Sequence, residues 1–221
     1  EKVGLKPLTT AFTMESIQKL KNIGFKEIKV ASYDCCSLPF LKELKKYFSR
    51  LIVSTGATFD SEIEEASEIL HDHNFSFLHC VTIYPTPLNK MNLNRMKYLK
   101  EFTPSVGLSE HSLVKDDGIN ASKVAISQGA EIIERHFTIL PADQTKDGAV
   151  SITPTLLEEL VQFSQLDKES MQKNIKEDIP EYKLMLGNMQ RELTDEELLN
   201  RDYYKGRFSS KETMVISGTT G

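Results

Sequence analysis

Two histidines stand at matching places in successive segments of the chain: His111 in Gly107-Leu108-Ser109-Glu110-His111 and His136 in Glu134-Arg135-His136-Phe137-Thr138. On neighbouring strand ends they come within reach of one metal ion, and two neutral imidazoles suit Mn²⁺, Fe²⁺ or Zn²⁺ better than bare Mg²⁺. The competing reading is two unrelated polar residues at loop entrances. A second set comprises Thr10, Lys29, Ser32, Ser54, Thr55 and Ser109. Several short hydroxyls around one fixed cation suit a phosphate or carboxylate. Lys29 sits inside the run Ile28-Lys29-Val30, where a lysine belongs only if it points into a polar mouth. Each Ser or Thr taken singly could instead cap the helix that follows it, whereas their repetition favours an anion site. Tyr84, ahead of Pro85-Thr86-Pro87, could face a substrate or pack, and Asp147 lies in the polar loop 143–148. His79 reads as a core histidine, His71 and His73 as solvated, and Cys80 as a buried thiol with no local basic partner to activate it.

The elements that must gather these residues follow from periodicity. Strand-type apolar runs recur at 8–12, 28–32, 51–55, 75–81, 105–109 and 131–136, about 20 to 30 residues apart, the length of a strand plus a crossover helix. Between them, apolar residues at the 3.6-residue period mark helices: Ile17, Leu20 and Ile23; Leu38, Leu41, Leu44 and Phe48; Ile63, Ala66, Ile69 and Leu70; Ala121, Val124 and Ala125; Leu156, Leu157, Leu160, Val161 and Phe163. The fourth crossover, 92–102, carries the weakest helical pattern. Six βα units predict a parallel sheet, and the polar residues after each strand place a site at the carboxyl ends. Beyond about Leu166 the chain turns polar, passes Pro180 and leads to the basic-aromatic stretch 201–207, a linker arm with some helix.

Composition narrows the function. In 221 residues, 27 Lys and Arg against 32 Asp and Glu leave a net charge of −5, without the basic surplus that nucleic-acid binding needs. No apolar run approaches the roughly 20 residues of a membrane span, so a cytoplasmic enzyme is expected. Three cysteines, two of them adjacent at Cys35 and Cys36, form neither a disulfide framework nor a zinc pair, and reduced, buried thiols are expected. Gly56 and Gly107 form no nucleotide-binding pattern. The start at Glu1-Lys2-Val3 and the end at Ser217-Gly218-Thr219-Thr220-Gly221 look cut or processed.

Six motifs in order, Thr9-Thr10-Ala11-Phe12, Lys29-Val30-Ala31-Ser32, Ser54-Thr55-Gly56-Ala57, the run 79–87, 107–111 and 134–138, resemble the sialic acid synthase family over about residues 5 to 165. The family condenses phosphoenolpyruvate with an N-acyl hexosamine such as N-acetylmannosamine. The resemblance implies a (β/α)8 TIM barrel over 1–166, with about six units present and the first two missing before Glu1. It also implies a linker over 167–221 toward an absent antifreeze-like domain, and a homodimer in the intact protein. It implies His111 and His136 as ligands of a divalent metal, usually Mn²⁺ with Mg²⁺ or another ion as alternatives. Thr10, Lys29, Ser32, Ser54, Thr82 and Ser109 would bind phosphoenolpyruvate, Tyr84 and Asp147 would stand on the sugar side, and Glu134 would be the acidic residue near the metal. Thr82 stands where the family commonly has Asn, and Glu110 where Asp is common. Lys146-Asp147-Gly148 replaces a familiar Pro-Asp-His, so a legionaminic- or pseudaminic-type product fits as well as N-acetylneuraminate. Two other readings of the residues are a two-His metal hydrolase on the same barrel and a non-catalytic fragment that binds an anion or partner.

Overall fold

The strand runs alternate strictly. Ala11, Ile28, Val30, Leu51, Val53, Phe75, Phe77, Val106 and Leu108 all join one buried cluster, while the residues between them, such as Thr10, Lys29 and Ser109, point to the opposite face. In the computed structural model, which describes residues 4–204, the runs become six strands joined by helices. The order is β1 (Thr9–Ala11), α1 (Met14–Ile23), β2 (Glu27–Val30), α2 (Leu38–Tyr47), β3 (Arg50–Ser54), α3 (Asp60–Leu70) and β4 (Phe75–Cys80). It continues with α4 (Arg95–Leu99), β5 (Val106–Glu110), α5 (Val114–Asp117), α6 (Asn120–Ser127), β6 (Ile132–Arg135), α7 (Pro154–Ser164) and α8 (Lys168–Asp178). A last helix, α9, covers 195–204. The chain ends at 1–3 and 205–221, including Lys205-Gly206-Arg207 of the basic-aromatic stretch, lie outside the described residues.

All six strands are parallel and lie in sequence order. The sheet curls strongly. Lys29 on β2 reaches Glu134 on β6 at 3.6 Å, although four strand spacings in a flat sheet would separate them by about 19 Å. The architecture is a curled half-barrel with helices outside, part of a (β/α)8 barrel. Helix ends follow local chemistry. The Thr13 side chain accepts from the Ser16 N–H to start α1, and Gly24, at φ 102°, ends it with a left-handed residue. The outer cluster adds Leu41, Leu44, Ile63 and Leu70 from the helices, each contributing about 1.5–3 kcal/mol when fully buried.

Three departures from the sequence expectations have local reasons. Strand bounds move by at most two residues. The fourth crossover forms only the five-residue α4, with Met96, Tyr98 and Leu99 buried by the packing of its loop. Cys36 and His73 are only partly buried: Cys36 falls short of the burial expected of it, and His73, with a buried and unpartnered Nε2, is less solvated than its polar surroundings implied. His79 is a core histidine, its Nε2 2.6 Å from the Met91 carbonyl, and burial pushes its pKa down to about 3. β1 and β6 are the sheet edges among the described residues, and exposed apolar side chains lie beside them, among them Leu8, Phe12, Phe137 and Ile139. The arm packs back: Ile175, Ile179 and Met185 are buried in the main cluster. No helix among the described residues is long and apolar enough to cross a membrane.

Candidate active site

The same alternation that sends apolar residues outward sends polar ones into the curl, at the carboxyl ends of the strands. There they line a cavity of about 700 Å³. Thr10 and Phe12 follow from β1, Lys29 and Ala31 from β2, Ser54 from β3, Cys80, Thr82 and Tyr84 from β4, Ser109 and His111 from β5, and Glu134 and His136 from β6. Each strand contributes at one parity only. Ser32 and Asp147 enter from the loops after β2 and β6. All eleven residues assigned to substrate, metal or catalysis therefore meet in one cavity.

One side of the cavity is a floor of donors. Lys29 is 6% exposed, donates to the Val30 carbonyl at 2.8 Å and faces Glu134. Burial lowers its pKa, and the nearby Glu134 carboxylate opposes that shift. Ser54 Oγ is buried with no hydrogen-bond partner. Thr82 Oγ1 is likewise buried and unpartnered, although it stands near enough to the Tyr33 phenol to favour that group's ionised form slightly. The Ser32 hydroxyl accepts from the Gly56 N–H at 3.1 Å and lies close enough to the Cys80 sulfur to favour that group's ionised form. Gly56 is required there, because a β-carbon would lie 2.6 Å from Thr82 Cγ2 and 2.9 Å from Ser32 Oγ. A buried cation among unpaired hydroxyls is costly without a ligand and suits an anion. None of these hydroxyls caps a helix; the side-chain caps include those of Thr13, Thr153, Asp167 and Thr194. Thr55 does not join the floor, since its hydroxyl donates to the Leu78 carbonyl at 3.1 Å.

The other side holds the imidazoles. The ring centroids of His111 and His136 are 5.4 Å apart. Burial, followed by repulsion from His136 and Lys29, pushes the His111 pKa down to about 3, so the ring is neutral and able to ligate a cation. Its Nε2 accepts from the Tyr84 hydroxyl at 2.6 Å, and burial drives the Tyr84 phenol pKa up. His136 Nδ1 lies 3.7 Å from Asp147 Oδ2. Among the described residues no group of three or more His, Cys, Asp or Glu side chains could hold a metal. The two imidazoles, on adjacent strand ends, are the donors that would hold a divalent cation there.

Sequence reasoning missed several wall residues. Cys80 lines the cavity beside Lys29 and His111, which are distant in sequence, yet burial still pushes its thiol up to about 11. Lys146, one position before Asp147, adds a second cation. Glu196, Asn200 and Tyr204 reach the cavity from α9, and Tyr33 comes from the loop after β2. The even spacing of 196, 200 and 204 was the available signal.

The NeuB family profile matches residues 1–176. An N,N'-diacetyllegionaminic acid synthase of Campylobacter jejuni is 38% identical over 168 residues, 73% of this chain and 49% of the relative. The chain thus spans about half the length of that relative. The crystal structure of the Bacillus subtilis spore coat polysaccharide biosynthesis protein SpsE superposes with a TM-score of 0.71 at 27% identity, covering 86% of this chain and 53% of that one. An N-acetylneuraminic acid synthetase of Leptospira borgpetersenii superposes with a TM-score of 0.66 at 31% identity, covering 89% and 63%.

Proposed function

The chain belongs to the NeuB family, and from that premise we propose that the protein joins phosphoenolpyruvate to an N-acyl hexosamine, giving a nonulosonic acid and inorganic phosphate. One observation carries the reading: the buried cation Lys29 and the unpartnered hydroxyl of Ser54 line the same cavity as the two imidazoles of His111 and His136. Lys29, Ser32, Ser54, Thr82, Ser109 and Thr10 bind the phosphate and carboxylate. His111 and His136 hold a divalent ion, Mn²⁺ in the first instance, which when bound polarises the sugar aldehyde oxygen. C3 of phosphoenolpyruvate forms the new carbon–carbon bond to the aldehyde carbon, water adds at C2, and the C–O bond to phosphate breaks. Glu134, 3.6 Å from Lys29, stands where a carboxylate can take a proton from that water. Tyr84 holds His111 in orientation, and Asp147 faces the sugar.

Holding two polar substrates in contact supplies much of the rate, because it replaces a bimolecular encounter by a fixed one. The reading includes a cytoplasmic location and a homodimer. Between N-acetylmannosamine and the precursors of legionaminic- or pseudaminic-type acids, the 38% identity to a legionaminic acid synthase favours a diacetamido sugar. The hydrolase alternative usually takes more protein ligands for its metal, and metal analysis with a His111→Ala variant separates the two readings. The test is phosphate release by the full-length protein with phosphoenolpyruvate, Mn²⁺ and a panel of N-acyl hexosamines. Sugar-dependent phosphate release is expected. Its absence with every sugar, with the metal shown to be bound, overturns the proposal.

A further inference from the structure

α9 lies outside the βα repeats yet forms a wall of the cavity. Glu196, Asn200 and Tyr204 line it, and their spacing of four puts them on one stripe of the helix. The adjacent stripe is buried and fixes the orientation. Arg201 donates to the Ala57 carbonyl at 2.6 Å and pairs with Glu62. Glu197 accepts from both terminal nitrogens of Arg191 at 2.6 Å. Thr194 and Glu197 exchange backbone and side-chain hydrogen bonds in a capping box. Leu199 and Tyr203, 71% and 68% exposed, take the outer side.

The elements that line the cavity differ in polarity. The floor offers a cation and donors, which draw an anion. α9 offers a carboxylate and a carboxamide and no cation. Glu196 repels phosphate and accepts hydrogen bonds from neutral hydroxyls. Asn200 uses one amide proton on the Thr82 carbonyl at 2.6 Å, which fixes its plane, and retains a donor and an acceptor. The Tyr204 ring stacks on Tyr33 with centroids 4.0 Å apart, so aromatic surface adjoins these polar groups. A few placed polar groups beside apolar surface select an orientation for a ligand of mixed character, as a sugar ring is. We infer that Glu196 and Asn200 are specificity-determining residues that take hydroxyl or acylamino groups of a neutral sugar; the inference rests on the proposed function, in which that sugar is the second substrate.

Calorimetric titration of the full-length protein with N-acetylmannosamine and other N-acyl hexosamines, inorganic phosphate being present as the anion, compares wild type with Glu196→Ala and Asn200→Ala. Phosphoenolpyruvate is titrated separately. Asn200→Ala should weaken sugar binding about 3- to 10-fold, the loss of one neutral hydrogen bond; Glu196→Ala, which removes a charged acceptor, should weaken it about 10-fold or more and leave the Kd for phosphoenolpyruvate within about twofold, with Glu196→Gln recovering part of the loss. Glu196 is exposed, so its truncation keeps the fold and guards against a collapse caused by Asn200→Ala. Unchanged sugar binding in Glu196→Ala, equal losses for both ligands, or no sugar binding by wild type overturns the inference. Wild type that fails to bind phosphoenolpyruvate overturns the proposed function; wild type that binds it, with sugar affinity unmoved in the variants, overturns this inference alone.

Discussion

Ser54 sets stability against binding. Its Oγ is buried at the end of β3 with no partner, and the residue is 2% exposed. A buried hydroxyl left unpaired costs about 1–3 kcal/mol. Ser54→Ala removes that group and creates little space, so the ligand-free protein should gain about 1 kcal/mol. At this chain length that raises Tm by about 2–4 °C. The same change deletes a donor to a charged ligand, worth about 1.5–3 kcal/mol, and should weaken phosphoenolpyruvate binding roughly 10- to 150-fold. Scanning calorimetry reads both effects. At a ligand concentration of 100 times the wild-type Kd, wild type gains about 2.7 kcal/mol and the variant only about 0.3–1.4 kcal/mol. The order of melting should therefore reverse: the variant melts above wild type alone and below it with ligand. A variant that melts lower without ligand, or that shows the full ligand-induced shift, refutes the orphaned-donor argument.

Three further outcomes follow from the packing. The folded pKa of His79 is about 3 against about 6.5 unfolded, so the unfolded chain binds the extra proton between those values and stability falls as pH falls through that window. From pH 7 to pH 5 wild type should lose about 2 kcal/mol more than His79→Asn, measured by urea unfolding; parallel losses would exclude the buried neutral imidazole. Arg135 pairs with Glu110 through side chains 3% and 0% exposed, so Arg135→Ala should cost about 3–5 kcal/mol in the same assay, and a loss below about 1 kcal/mol would mean the pair is solvated. Tyr84→Phe removes the 2.6 Å hydrogen bond that orients His111 and should weaken Mn²⁺ binding about 2- to 12-fold, read by electron paramagnetic resonance; unchanged or tighter binding would show that the hydroxyl competes with the ion for Nε2.

Most of the strand framework was legible because a parallel strand covered on its outer face reads as a short apolar run, and the six runs gave all six strands to within two residues. The site residues on those strands were legible for the same reason: Lys29 in the middle of an apolar run is improbable unless its face differs from that of Ile28 and Val30. What could not be read was contact at long sequence separation. Asn200 meets the Thr82 carbonyl and Arg201 the Ala57 carbonyl, more than a hundred positions away, and no local period announces either. The capping signature Thr194-x-x-Glu197 and the stripe 196, 200, 204 announce a helix with two functional faces, but only its docking onto the mouth of the sheet tells which face meets the cavity.

Alternation also separates chemistry from support within single motifs. In Ser109-Glu110-His111 the outer two residues line the cavity and Glu110 does not; in Glu134-Arg135-His136 the middle residue is again excluded. Glu110 and Arg135 are register partners on β5 and β6 and pair on the far face, where Glu110 also accepts from the Ser122 hydroxyl at 2.5 Å. Glu110 in place of the more usual Asp is therefore a change in the clamp between two strands, not in the reacting groups. The longer carboxylate reaches Arg135, Ser112 and Ser122 together. Because β5 and β6 also carry His111 and His136 at their ends, that clamp sets the register between the strands and with it the 5.4 Å separation of the two rings. Losing the clamp should reach the imidazole pair before it reaches Lys29, Ser54 and Thr82, which follow from β2, β3 and β4 and are held by other pairings.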